Sequence, residues 1–233
     1  MTVGQLVAEQ PARSRVFERW GLDYCCGGKR PLSEACSAKN LKLQDVLRDL
    51  AECEPAAPLP GQDWTRESLT ALCDHIEQTH HAYVREALPR LSMLTEKVAR
   101  AHGAKHPELV ELRSVITSMR TELDNHLLKE EYVLFPLCRA LESGSPATGT
   151  PCGSVQNPIR RMEAEHTEVG EDLELARALT NDFAPPKDAC NTYRAMLQAL
   201  AEFEADMHRH IHKENSILFP RAVALEAAQH PVG

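Results

Sequence analysis

Two copies of one short pattern hold the side chains best suited to chemistry. His126 is followed four residues later by Glu130, and the same spacing recurs in His210 and Glu214. Residues four apart lie on one face of an α-helix, so each pair presents an imidazole and a carboxylate to the same point. Imidazole and carboxylate groups bind transition metals. The sequence therefore predicts a metal site that uses both pairs.

These pairs belong to an internal repeat. Segments 126–136 and 210–220 share six of eleven residues at an offset of 84 positions. Upstream, segments 81–88 and 166–173 share a histidine, a valine, a glutamate and a leucine at an offset of 85. Each half of the repeat thus supplies one lone histidine and one His-x-x-x-Glu pair. The predicted metal ligands are His81, His126, Glu130, His166, His210 and Glu214.

The choice of the first histidine depends on the repeat. On a helical wheel, His80 lies nearer than His81 to the centre of the apolar stripe. Only His81, however, brings the following valine, glutamate and leucine into register with those after His166. We therefore select His81 and keep His80 as the alternative. His102 stays open as a fifth histidine ligand.

Long helical patterns surround these residues. They cover about 65–101, 107–141, 158–181 and 187–227, with apolar residues spaced as in a helix that faces a core. Aromatic residues make up only 5% of the chain, which favours helix over sheet. Two helical hairpins facing each other predict an all-α fold, a duplicated antiparallel four-helix bundle that brings inward side chains together in its core.

A small helical domain is predicted in front of this bundle. Over residues 1–52, prolines, glycines and an asparagine interrupt the apolar pattern about every ten residues, which indicates short helices joined by turns. Residues 53–63 contain three prolines and few large apolar side chains, a composition typical of a semi-rigid linker. The bundle domain is therefore expected at 64–233.

Charge and composition exclude several partners. The formal net charge is −8 and the pI is near 5.8, which argues against a nucleic-acid or anionic membrane surface. No stretch approaches the roughly 18 apolar residues of a membrane span, and the N-terminus lacks a signal-peptide pattern. We expect a cytoplasmic protein without membrane contact, whose eight cysteines are reduced thiols.

The donor set narrows the choice of metal. Imidazole with carboxylate suits iron, manganese or zinc. Ferritin-like di-iron proteins use Glu-x-x-His pairs, whereas this set is richer in histidine and spaced His-x-x-x-Glu. Four histidines and two bridging glutamates would give each of two metals two nitrogens and two carboxylate oxygens. The site resembles the hemerythrin class of di-iron centre.

The whole chain resembles the Repair of Iron Centres family of bacterial di-iron proteins. Segment 23–29, with the sequence DYCCGGK, is followed by Leu32 and Cys36 and matches the N-terminal motif of that family. A hemerythrin-like remainder follows across the proline-rich linker. The resemblance implies two iron ions with oxo and carboxylate bridges, held by the six ligands named above.

The resemblance also implies a function in the response to nitrosative or oxidative stress. The expected protein binds nitric oxide or another diatomic ligand and repairs damaged iron-sulfur clusters. Nitric oxide reduction and iron donation are the two enzymatic activities in question, and no catalytic residue is assigned. Expected partners are the diatomic ligand and damaged iron-sulfur proteins, and a homodimer stays open.

Two other functions compete with this interpretation. An oxygen carrier or sensor would use the bundle alone or fused to a signalling domain, whereas this chain carries a cysteine-rich N-terminal segment. A structural zinc bundle would favour closed tetrahedral sites. A visible spectrum with metal analysis separates them, because an oxo-bridged ferric pair absorbs visible light and zinc does not.

The adjacent thiols of Cys25 and Cys26 form a second candidate feature. A turn at Gly27 and Gly28 would expose both thiols, and nearby cations would favour a thiolate that acts as a nucleophile or soft iron ligand. The alternative is a buried apolar pair that closes a small domain.

Two carboxylates lie next to predicted ligands. Glu122 precedes His126 by one helical turn, and Glu165 directly precedes His166. Either carboxylate would orient a ligand or move protons near the site, and the alternative for both is simple surface exposure.

Overall fold

The computed structural model describes residues 1–53, 63–144 and 153–229. Within these ranges the regular structure is helical, apart from an isolated β-bridge between Thr2 and Pro31. The predicted all-α class, with a helical bundle and a small N-terminal helical region, is confirmed. Residues 54–62 of the predicted linker lie outside the described residues, and the boundaries at 52 and 64 stay predictions.

Short helices fill the N-terminal region, as the turn residues predict. Thr2 begins the first of them with a capping box, in which its hydroxyl accepts from Gln5 N and the Gln5 side chain accepts from Thr2 N. These helices are α1 (Val3–Glu9), α2 (Ser14–Arg19), α3 (Leu32–Ala38) and α4 (Leu43–Glu52).

The remaining helices follow the four predicted patterns, but three of those patterns are divided. They are α5 (Leu69–His75), α6 (Ala82–His102), α7 (Glu108–Lys129), α8 (Phe135–Glu142), α9 (Gln156–Leu179), α10 (Asn191–Lys213) and α11 (Phe219–Gln229). Within the described ranges, no helix combines the length and apolar content needed to cross a membrane.

Three π-helical segments divide these patterns. They are π1 (Ile76–His81), π2 (Glu130–Leu134) and π3 (Glu214–Leu218). A proline follows two residues after π2 and π3, at Pro136 and Pro220. Proline has no backbone N–H for the carbonyl four residues earlier, and the local backbone adjusts around that missing bond. The turn before each of these prolines is therefore wider than an α-helical turn.

The chain forms two compact units. The first comprises Met1–Asp74, Leu137–Ile159 and His208–Gly233, and the second comprises His75–Pro136 and Arg160–Met207. The boundaries fall inside α5, α8, α9 and α10, so each of these helices contributes residues to both units.

The second unit contains the helical hairpin α6–α7, together with α9 and most of α10. α6 and α7 pack against each other along their lengths. The Tyr83 ring stacks on Phe203 from α10, and the Arg177 guanidinium on α9 pairs with Glu204 on α10. Apolar side chains including Leu88, Leu112 and Ile116 are almost fully buried between the helices. Four helices therefore share one core in this unit.

Two glutamates at equivalent positions of the repeat, Glu142 and Glu226, cap the N-terminal ends of helices in the first unit. The Glu142 carboxylate accepts hydrogen bonds from Leu69 N and Thr70 N, at 2.7 and 3.0 Å. The Glu226 carboxylate accepts from Val155 N at 2.9 Å, just before α9. Each carboxylate accepts hydrogen bonds from backbone N–H groups at the start of a helix. Its negative charge also interacts favourably with the positive end of the helix dipole.

Candidate metal centre

The three π-helical segments carry three of the predicted ligands at their ends. His81 is the last residue of π1, Glu130 is the first of π2 and Glu214 is the first of π3. π-Helical turns are rare and occur often at functional sites. The proline that follows Glu130 and Glu214 in each repeat thus shapes the backbone at two ligands, in addition to contributing to packing.

Glu130 presents its two carboxylate oxygens to two different imidazoles. Oε2 lies 3.3 Å from His81 Nε2, and Oε1 lies 3.3 Å from His126 Nε2. Both imidazoles therefore direct the same ring nitrogen toward Glu130. Glu130 therefore offers one carboxylate oxygen beside each of two imidazoles.

His166 completes the group in the second unit. Its Nε2 lies 3.2 Å from His126 Nε2 and 3.9 Å from Glu130 Oε1. The ligand atoms of His126, Glu130 and His166 all lie within 4.8 Å of one another. The structure thus brings together four of the predicted ligands, from α7, α9 and the ends of π1 and π2.

The remaining two predicted ligands lie in the first unit. His210 Nε2 is 3.1 Å from Glu214 Oε1, and both side chains are fully buried. This His-x-x-x-Glu pair repeats the geometry of His126 and Glu130, with the same ring nitrogen facing the carboxylate. The four-residue spacing predicted this contact correctly.

The chemistry of these donors fits a metal. Glu130 and Glu214 are both 0% exposed, and a fully buried carboxylate is strongly disfavoured unless it is paired or coordinates a metal. Imidazole nitrogens and carboxylate oxygens face one another at 3.1 to 3.3 Å, which is close to the separation of neighbouring ligands on one ion. Iron is among the metals that such a donor set binds.

Glu131 orients His81 and was not predicted from the sequence. Its Oε1 accepts from His81 Nδ1 at 2.7 Å, while Arg85 donates to both oxygens at 2.7 and 2.8 Å. Burial opposes ionisation of Glu131, but the hydrogen bonds from Arg85 and His81 hold its pKa below the ordinary value. The His81 ring also stacks on Phe135, with centroids 5.5 Å apart. These contacts fix Nε2 toward Glu130.

Glu165 performs the same task for His126. Its Oε2 accepts from His126 Nδ1 at 2.9 Å, and Oε1 accepts from Lys129 at 2.5 Å and from Arg161 at 2.6 Å. The hydrogen bond from His126 and the two cations outweigh burial and lower the pKa of Glu165 to about 2. The role of orienting a ligand, predicted for Glu165, agrees with this geometry.

A cleft of about 200 Å³ adjoins Glu165 and His126, and Glu122 forms part of its wall. Glu122 accepts a hydrogen bond from Ser118 at 2.8 Å and is exposed. Of the two carboxylates considered from the sequence, Glu165 therefore contacts a ligand, whereas Glu122 borders the cleft.

His80 and His102 occupy other surroundings. His80 Nδ1 faces the Asp206 carboxylate on α10, at 3.0 and 3.1 Å, and is buried. His102 ends α6, which is 21 residues long, so it lies about 30 Å along that helix from His81. The structure brings neither histidine to Glu130.

The Cys25–Cys26 turn is closed by Asp23. Asp23 Oδ1 accepts from Cys25 N at 2.9 Å and Oδ2 accepts from Gly27 N at 2.6 Å. A Cβ on Gly28 would lie 2.5 Å from Tyr24 O, so this turn requires glycine. The sequence predicts the turn correctly.

The expected exposure of both thiols is wrong. Cys25 is only 4% exposed and Cys26 is half-buried. A hydrogen bond with Cys26, together with burial, raises the pKa of the Cys25 thiol well above its ordinary value. The thiol lies 3.2 Å from Asp23 Oδ1 and 3.8 Å from the Cys26 sulfur. Cys25 is therefore a protonated thiol in this environment, not the thiolate expected from the nearby cations.

This turn is held against the segment that carries Glu214. Asn215 Nδ2 donates to Cys25 O at 3.3 Å, and His212 Nδ1 donates to Tyr24 O at 3.3 Å. Burial lowers the pKa of His212 to about 4, which keeps it neutral with its proton on Nδ1. The backbone of the cysteine pair is thus fixed by the residues on either side of one predicted ligand.

Comparison with known protein families agrees with both parts of the chain. The sequence profile of the hemerythrin HHE cation binding domain matches residues 74–222. A domain of unknown function, ScdA_N (DUF542), matches residues 1–54. The larger match, together with the buried histidines and glutamates, defines a hemerythrin-type cation-binding protein.

Similar proteins cover nearly the whole chain. The Iron-sulfur cluster repair protein YtfE of Yersinia pseudotuberculosis serotype IB is 38% identical over 222 residues, covering 95% of this chain and 96% of that protein. YtfE of Yersinia pestis shows the same identity and coverage, and a "Probable iron-sulfur cluster repair protein" of Haemophilus influenzae is 36% identical over 222 residues. The chain therefore belongs to the Repair of Iron Centres family, and the resemblance identified in the sequence is confirmed.

Proposed function

We propose that the chain is a cytoplasmic di-iron protein that binds nitric oxide and restores damaged iron-sulfur clusters under nitrosative or oxidative stress. His81, His126, Glu130, His166, His210 and Glu214 would hold two iron ions, with the two glutamates and an oxo group as bridges. The observation that carries this proposal is Glu130, whose two oxygens lie 3.3 Å from two different imidazoles.

The side chains around these ligands would orient the imidazoles for binding iron. Glu131 and Glu165 accept the Nδ1 protons of His81 and His126, which directs Nε2 of each ring toward Glu130. Phe135 covers one face of the His81 ring and limits water there. Ferrous iron with a vacant coordination position would supply the affinity for nitric oxide.

The proposed clients are damaged iron-sulfur proteins. The relatives covering this chain are named for iron-sulfur cluster repair, and that function is carried here to the chain. None of the seven cysteines in the described ranges forms a disulfide, as expected for a reducing compartment. Of the cysteine pair, the half-buried Cys26 is proposed to contact the client or receive iron during repair.

A repair assay tests this function. A [4Fe–4S] dehydratase inactivated by nitric oxide is incubated with the purified protein, and recovery of its activity is followed. We expect recovery with the parent protein and none with Glu130→Ala. Iron donation additionally predicts that ⁵⁷Fe loaded into the protein appears in the repaired cluster, whereas removal of nitric oxide alone predicts that it does not. Equal recovery with Glu130→Ala would refute the proposed function.

A second variant separates the cysteines from the metal. The double variant Cys25→Ser/Cys26→Ser should keep the visible spectrum and nitric oxide binding of the parent while repairing more slowly. If this variant repaired clusters as fast as the parent, the two cysteines would have no part in repair, and the N-terminal region would have a structural role.

A further inference from the structure

A buried contact between a histidine and a carboxylate lies directly beside the predicted ligand His81. His80 Nδ1 is 3.0 and 3.1 Å from the two oxygens of Asp206 on α10. His80 is 2% exposed and Asp206 is 8% exposed. A buried pair of this kind adds little net stability, because desolvation offsets the attraction between its partners. Its effect is therefore expected on the position of the backbone that carries His80.

This backbone is the π-helical segment π1, which ends with His80 and His81. In π2 and π3, the carbonyl that loses its α-helical hydrogen bond to the following proline lies inside the π-helical segment. The first proline after π1 is Pro89, and the carbonyl four residues before it belongs to Arg85, which lies in α6. Proline therefore does not account for the π-helical turn in π1.

The other copy of the repeat provides an internal comparison for π1. Its equivalent residues, 161–166, form ordinary α-helix within α9. The counterpart of His80 is Glu165, at an offset of 85, and that of Asp206 is Glu122, at an offset of 84. Two ionised carboxylates cannot make this contact. Of the two equivalent segments, the one with the histidine–aspartate contact is thus the one with the π-helical turn.

Side-chain contacts hold π1 from two directions. His80 connects it to α10 through Asp206. His81 connects it to π2, because His81 Nδ1 donates to Glu131 Oε1 at 2.7 Å. Neighbouring residues of a helix point in directions about 100° apart. A rotation of π1 that broke the contact with α10 would therefore turn the His81 ring as well.

We propose that His80 and Asp206 are positioning residues for the iron ligand His81, an inference that rests on the proposed iron site. Their contact anchors π1 to α10 and maintains its π-helical turn. His81 Nε2 then stays directed at Glu130, 3.3 Å from Oε2. Neither His80 nor Asp206 binds iron. Outer-sphere contacts of metal ligands commonly change metal affinity by about 10- to 100-fold.

The rate of iron release from the full-length protein tests this inference. Parent and variants are loaded with ferrous iron without oxygen and mixed with an excess of a chromogenic ferrous chelator. Asp206→Ala and His80→Ala should each load two irons but release them at least about tenfold faster than the parent. Asp206→Asn keeps an oxygen that accepts from His80 Nδ1 and should release iron at nearly the parental rate. The double variant His80→Ala/Asp206→Ala should be no faster than the faster single variant, because both substitutions break the same contact.

A matched control separates positioning from stability. Leu88 is 1% exposed on α6, the helix that follows π1. Leu88→Ala should lower the free energy of unfolding, measured in urea, but release iron at the parental rate.

Three results would overturn the inference while leaving the proposed function standing. Leu88→Ala could release iron as fast as Asp206→Ala, or Asp206→Ala could match the parent. His80→Ala alone could load fewer than two irons, which would make His80 a ligand. A parent protein that loads no iron would instead refute the proposed function, and the inference with it.

Discussion

The segments π2 and π3 occupy the same position in the two repeats, but their side chains differ in solvent exposure. Each follows a lysine, begins with a predicted glutamate ligand and ends at the leucine of a Leu-Phe-Pro sequence. In π2, Tyr132 is 75% exposed and Val133 is 40% exposed. In π3, the equivalent of Val133 is Ile217, which is 6% exposed. The predicted ligands and the Leu-Phe-Pro residues are the same in both segments, whereas the exposure of the residues between them differs.

The N-terminal region explains the burial of π3 within the first unit. Gly4 on α1 approaches Ser216 so closely that a Cβ at Gly4 would lie 2.4 Å from Ser216 Oγ. Asn215 donates to the carbonyl of Cys25. In this copy of the repeat, the segment that carries the predicted ligand Glu214 therefore packs against the cysteine-bearing region.

The largest expected effect is the loss of iron when either of the equivalent glutamates, Glu130 or Glu214, is replaced. Glu130→Ala and Glu214→Ala each remove one proposed bridging carboxylate. Both should therefore lower iron from two per chain to well below two, measured by metal analysis together with the visible spectrum.

The matched control is Glu202→Ala, because Glu202 is an exposed glutamate on α10. It should keep the full iron complement. If either bridge variant loaded two irons, the equivalence of the repeats at the metal would be wrong.

The next effect is a difference in stability between variants at equivalent positions of π2 and π3. Ile217→Ala removes buried apolar volume and should reduce the free energy of unfolding by about 2 to 4 kcal/mol. Val133→Ala removes a half-exposed side chain at the equivalent position and should cost less than about 1 kcal/mol. Urea unfolding of iron-loaded protein measures both. Equal losses would mean that π2 is covered as fully as π3.

The features that the two repeats share could be predicted from the sequence. The predicted ligands recur at a matched offset, and so do the Leu-Phe-Pro residues that follow the π-helical segments. Helix class follows from the 3.6-residue periodicity and the scarcity of aromatic residues. The choice of His81 over His80 agrees with the contact between His81 and Glu130.

The features that differ between the repeats could not be predicted in this way. Glu131 has Asn215 as its counterpart, so the repeat gave no signal for its contact with His81. His81 and His126 take their Nδ1 partners from carboxylates that the packing brings near, and periodicity does not identify those neighbours. Burial of Cys25 likewise depends on docking against π3, a long-range contact that local turn chemistry does not encode.

A smaller effect tests the close approach of α1 to π3. In Gly4→Ala the new Cβ would meet Ser216 Oγ at 2.4 Å and Gly28 O at 3.0 Å, which should cost about 1 to 2 kcal/mol despite the better helix propensity of alanine. Removing the hydroxyl in Gly4→Ala/Ser216→Ala should restore part of that loss. A double-mutant cycle from thermal or urea unfolding gives the coupling. Independent, additive effects of the two substitutions would show that α1 does not pack on Ser216.

The smallest expected effect is at Tyr132. Its repeat counterpart is Ser216, so Tyr132→Ser converts an exposed position of π2 to the residue found in π3. Because Tyr132 is 75% exposed, the free energy of unfolding should change by no more than about 0.5 kcal/mol. The reverse change, Ser216→Tyr, places a large ring where Gly4 approaches and should destabilise the protein by several times as much. Urea unfolding of both variants at two protein concentrations measures this asymmetry. A loss above about 1 kcal/mol in Tyr132→Ser that grows with protein concentration would mean that a second copy of the chain covers π2. The two repeats would then both be docking surfaces, one for the N-terminal region and one for a neighbouring molecule.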